Sequence, residues 1–107
     1  MGYSFIGKHR KTDEESIFYE ECMYAYQSIF RECFGKEITD FGGRVTKKKI
    51  EDFEIGLDKF KSDEGNNMDY RQSVGYLSNI TYEKLCDRLF ELLELMKSKK
   101  VCYLIIG

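Results

Sequence analysis

The chain has 107 residues, a formal net charge of -2, 42% hydrophobic and 15% aromatic residues, and no proline. That is enough apolar material for one domain, residues 1–107, to hold itself together by a core, without help from disulfides or a metal. No apolar run approaches the ~20 residues of a membrane span and the N-terminus lacks a signal-peptide core, so the expected location is cytoplasmic, with no membrane partner.

Cys22, Cys33, Cys86 and Cys102 have no close-paired spacing and lie in apolar segments. They read as small buried hydrophobes, and no metal site or other cofactor is expected. The charge is unevenly placed. Residues 1–12 carry Lys8, Arg10 and Lys11, whereas residues 13–35 carry six acids against Arg31 alone.

In chain order, Met1 to Gly7 is apolar and rich in β-formers, a short strand or extended arm. Lys8 to Lys11 then form a basic cluster with the single histidine, His9, and read as a solvated turn. His9 has no nucleophile or orienting acid near it in sequence. Asp13 to Phe34 reads as the first and longest helix, with a Thr12/Glu15 capping box at its start and Gly35 as its stop. On a helical wheel Phe18, Tyr19, Cys22, Tyr26, Ile29 and Phe30 fall on the inner half. Ile17 and Tyr24 are stranded on the outer half beside Glu20, Glu21 and Ser28.

A loop with a Gly42-Gly43 turn leads to Thr46, the start of a second helix with Ile50, Phe53, Leu57 and Phe60 in a stripe and Ile55 opposite. Lys47, Lys48 and Lys49 at its start raise the idea of an anion site. The spacing of a phosphate loop is absent, and a solvated lysine turn is preferred. Ser62 to Asn67 is a polar loop, Asp69 caps a short third helix, and Thr81 caps a fourth. The fourth helix puts Tyr82, Leu85, Cys86, Leu89, Leu92, Leu93 and Met96 on one face. Val101 to Gly107 is a continuous apolar run, a buried strand whose pairing with the N-terminal segment is preferred to joining a partner's sheet. The expected fold is mainly α: a small four-helix single domain, with a short two-stranded β element formed by the N- and C-terminal segments.

No constellation of nucleophile, base, metal ligands or phosphate loop is present, so an enzyme is not expected and no catalytic residue is assigned. Nucleic-acid binding ranks low, because the tyrosines fall on helix core faces rather than among basic residues. What remains is action through a surface. The stranded apolar pair in an acidic stripe marks Asp13, Glu14, Ile17, Glu20, Glu21 and Tyr24 as the expected partner-binding residues.

In size, in the lack of a signal, in its Lys/Glu/Tyr/Phe-rich composition and in its acidic helical face, the chain resembles the immunity proteins of bacterial contact-dependent growth inhibition and polymorphic toxin systems. The resemblance implies a cytoplasmic inhibitor that binds and neutralises a cognate toxin domain, commonly a nuclease with a basic cleft. The competing readings are a phage-encoded inhibitor of a host defence protein, of the anti-CRISPR kind, and a small nucleic-acid-binding regulator using Lys8 to Lys11 and Lys47 to Lys49. The oligomeric state has no signal in the sequence.

Overall fold

The structure, a computed structural model, describes residues 2–23, 26–62 and 83–107. Its centre is a four-stranded antiparallel sheet: β1 (Gly2–Lys8), β2 (Phe18–Met23), β3 (Gly43–Arg44) and β4 (Tyr103–Ile106), in the order β2-β1-β4-β3. Three helices accompany it among the described residues: α1 (Gln27–Phe34), α2 (Lys47–Ser62) and α3 over 83–97. The fold is α+β, and the four-helix arrangement expected from the sequence is overturned. The short third helix expected after Asp69, and the Thr81 cap, lie outside the described residues.

The correction begins at the expected first helix. Residues 18–23 are a strand that pairs with β1, with Tyr3 opposite Cys22, Phe5 opposite Glu20 and Gly7 opposite Phe18. Asp13 and its neighbours form the turn between the two strands, and the helix starts only at Gln27. The Ile-Phe-Tyr run at residues 17–19 has the branched and aromatic side chains that suit a pleated surface, and β1 is at hand as a partner.

The terminal segments do pair, β1 with β4, Phe5 facing Ile106 and Gly7 facing Leu104. They do so inside a larger sheet: β3 adds to the far side of β4, and β2 to the far side of β1. A two-stranded unit would leave two edges open, and each added strand satisfies one row of backbone groups.

Strand alternation puts Tyr3, Phe5, Gly7, Phe18, Cys22 and Leu104 on one face, and all are buried. Phe5 meets Phe30 of α1 edge to ring at 6.1 Å, and Phe30 stacks on Phe60 of α2 at 4.8 Å. Phe34, Phe41 and Phe53 complete an aromatic cluster with centroids 5.4–5.6 Å apart. Rings at these separations and tilts match the preferred edge and offset geometries. The ring of Phe34 rests on Gly56, where an added Cβ would run into it. Leu85, Leu89, Leu92, Leu93 and Met96 bury the inner side of α3.

Caps follow local chemistry. Gly35 takes φ 71° and its N–H closes α1 on the Arg31 carbonyl at 3.0 Å. The Thr46 hydroxyl accepts the Lys49 N–H at 3.2 Å and starts α2. Helix α3 ends at residue 97 and is closed by Lys99, which is held at φ 63°, with Lys100 N–H bonded to the Leu95 carbonyl at 3.0 Å. Among the described residues no helix is long and apolar enough to cross a membrane.

Candidate interaction surface

The other face of the sheet carries Ser4, Ile6 and Lys8 from β1, Tyr19 and Glu21 from β2, Tyr103 and Ile105 from β4, and Arg44 from β3. Register sorts them into rows that run across the strands. Tyr19 faces Ile6, which faces Ile105. One step along, Lys8 faces Tyr103, which faces Arg44. Ile17, one residue before β2, donates its N–H to the Gly7 carbonyl at 2.8 Å, and the alternation carries it to the same face as Tyr19.

Ile17 and Tyr19 are each 49% exposed and Ile105 is 40% exposed. Single exposed apolar residues are ordinary, but these three lie on one sheet face around Ile6. The Tyr19 hydroxyl donates to the Glu21 carboxylate at 2.6 Å, so ring and acid are held together at the β2 margin.

The residues expected to bind a partner are distributed differently from the single helix face foreseen. Ile17 and Glu21 share the open face. Glu14 is exposed in the turn. Asp13 is a turn residue: its carboxylate accepts the Arg10 N–H at 2.9 Å and its carbonyl accepts Lys8 Nζ at 2.8 Å. Glu20 points to the helix side, where its carboxylate accepts Arg88 Nε at 2.9 Å. Tyr24 lies outside the described residues. Tyr19, Ile6, Ile105 and Tyr103 were missed; for the β2 share of them the signal is the branched and aromatic run Ile17, Phe18, Tyr19, which suits a strand.

His9 and Cys102 come together across 93 positions. His9 Nδ1 lies 3.2 Å from the Lys100 carbonyl and 3.9 Å from Cys102 Sγ, and the thiol donates to the Lys99 carbonyl at 3.2 Å. A carbonyl only accepts, so the bond to Lys100 puts a hydrogen on Nδ1. The nitrogen nearest the sulfur then has no lone pair with which to take the thiol proton. The other three cysteines are buried, and burial pushes the Cys22 thiol up to about 12.

Lys49 of the expected lysine turn is turned inward, its ammonium donating to the carbonyls of Gly42 at 2.8 Å and Arg44 at 3.0 Å. An open cavity of about 250 Å³ between α1 and α2 is lined by Cys33, Phe34, Lys36, Asp52, Ile55 and Lys59 among others, with Lys36 and Asp52 paired at 3.5 Å across it. Among the described residues no group of three or more His, Cys, Asp or Glu side chains could hold a metal ion. Comparison of the chain with protein families, curated proteins and solved structures finds no match.

Proposed function

We propose that the protein acts by binding another protein, as an immunity-type inhibitor that neutralises a cognate toxin domain in the cytoplasm. The observation that carries the reading is the row Tyr19–Ile6–Ile105, with Ile17 beside it and its two ends exposed, on the sheet face that neither α1 nor α3 covers. Helices α1 and α3 both pack on the other face, through Phe5–Phe30 and through Arg88 over the Phe18 ring at 4.5 Å. A flat row with an aromatic residue at one end has the make-up of an interface centre.

The β2 margin of the row adds the acid Glu21, whose carboxylate accepts from the Tyr19 hydroxyl. The complementary partner surface is therefore apolar at its centre and basic at that margin, a chemistry that a nuclease cleft offers. The resemblance to toxin-immunity proteins supports the same reading, and the binding residues are redrawn as Ile17, Tyr19, Glu21, Ile6 and Ile105.

The test is co-expression with the toxic domain encoded beside the gene. The expected result is rescue of growth by the wild-type chain, and loss of rescue and of co-purification with Tyr19→Ser/Ile105→Ser. Both substitutions are at exposed positions, so the variant should keep its melting temperature within a few degrees. Full rescue by the variant would move the interface elsewhere, and no rescue by the wild type would end the immunity reading.

A further inference from the structure

We infer that the basic end of the sheet is a site for single-stranded nucleic acid, with phosphates on its cations and a base against Tyr103. The site adjoins the apolar row and does not rest on the protein-binding reading.

Three segments far apart in sequence build it. The end of β1 brings Lys8, and the turn after it Arg10 and Lys11. The turn after α3 brings Lys99 and Lys100, tied to the first by the Cys102 N–H on the Lys8 carbonyl at 2.9 Å and by His9 on the Lys100 carbonyl. Strand β3 brings Arg44, level with Tyr103 and Lys8 in one row. The acids of this end are Asp13, Glu14 and Glu15, so the balance is positive on a chain whose net charge is -2. Lys97 is engaged elsewhere, with Glu54 of α2.

Tyr103 distinguishes this patch from a plain run of charge. It is half-buried, is flanked on its row by Lys8 and Arg44, and has Lys11 Nζ 5.8 Å from its ring centroid. A contact that loose lets the lysine swing to a phosphate while the ring takes a base. Tyr19 offers a second ring on the same face, two strands across and one row along, roughly 12 Å at the usual strand spacing and rise. Cations that follow a backbone, interleaved with rings on a sheet, are how sequence-tolerant single-strand sites are made. An acidic polypeptide would match the charge but leave the rings without a role.

The test uses the full chain and a labelled oligothymidylate of about twelve nucleotides, read by fluorescence anisotropy over about 50 to 200 mM salt. Saturable binding is expected, with a log–log salt slope of about -2 to -4. Lys11→Glu/Arg44→Glu should weaken binding at least about tenfold and flatten the slope by about one unit or more. Tyr103→Leu should weaken it about tenfold and leave the slope unchanged. Lys59→Glu/Lys61→Glu makes the same charge change near the far end of α2, about 20 Å along the helix, and should stay within about twofold. Thermal melts check that each variant folds, and the Lys11/Arg44 pair decides the matter if Tyr103→Leu does not. Absence of binding at the lowest salt would overturn the site. So would an equal loss in the Lys59/Lys61 control, equally tight binding of duplex DNA, or competition by polyglutamate as strong as by unlabelled oligonucleotide.

Discussion

Arg88 and Glu20 face each other across the boundary between α3 and the sheet, Nε to carboxylate at 2.9 Å, with side chains 29% and 26% exposed. The same guanidinium donates from Nη2 to the Tyr19 carbonyl at 2.9 Å, lies over the Phe18 ring at 4.5 Å and also engages Glu91. One planar group thus fastens the helix to strand, backbone and ring together. Arg88→Ala should lower stability by about 1.5–3 kcal/mol in urea unfolding, because the Glu20 carboxylate loses its partner. Arg88→Lys should recover less than half of that, since an ammonium cannot serve Glu20 and the Tyr19 carbonyl with one flat fork.

Gly56 sits within α2, where alanine ordinarily adds about 1 kcal/mol of stability. Here the sign should reverse. Phe34 occupies the space a Cβ would need and is itself wedged among Phe30, Phe41 and Phe53. Gly56→Ala should cost about 1–3 kcal/mol, read as a fall in the denaturation midpoint at unchanged slope.

Lys99 holds the left-handed conformation that glycine usually supplies after a helix, at φ 63°. A side chain there costs about 1 kcal/mol. Lys99→Gly should therefore raise stability by about 0.5–1 kcal/mol despite the greater freedom of its unfolded chain, as measured by thermal melting.

The Cys22 thiol is raised from 9.0 to about 12, first by burial and further by Glu20, with the backbone at Tyr3 acting the other way. Below pH 9 both folded and unfolded chains keep the proton and the shift has no effect on stability. Between pH 9 and about 12 the unfolded chain releases it and the folded chain does not, so stability falls as pH rises, by up to about 1.4 kcal/mol per unit. Cys22→Ala should lose some stability at pH 7 and show a shallower alkaline decline than the wild type. Parallel declines would show that other groups set the alkaline limit.

Much of the helical half of the fold was readable. The Thr46 cap, the stripe Phe53, Leu57 and Phe60, the exposed Ile55 and the buried face of α3 all stand where periodicity puts them. These are local signals, settled by neighbours three and four positions away. The β2 segment was misread because Phe18, Cys22 and Tyr26 are spaced by four, which suits one face of a helix and also repeats every second position of a strand. The deciding positions were Ile17 and Tyr19, two apart and both exposed. Treated as a helix, the segment stranded Ile17 on the polar side; treated as a strand, it aligns Ile17 with Tyr19. The acidic face dissolved with the helix, since pleating sends Glu20 to Arg88 and Glu21 to the open side. The meeting of the two basic turns, and of His9 with Cys102, depends on β1 and β4 lying side by side, and no local pattern carries it.

The placement of β1 also bears on how the chain is made. It leaves the ribosome before the other three strands of the sheet, yet one of its two long edges is completed only by β4. While residues 9–102 are being synthesised, a β1–β2 hairpin can close, but its inner edge stays open and its apolar face waits for α1 and α3. A nascent chain in that condition is a natural client for a holdase chaperone and a template for mispairing with its neighbours on the same message.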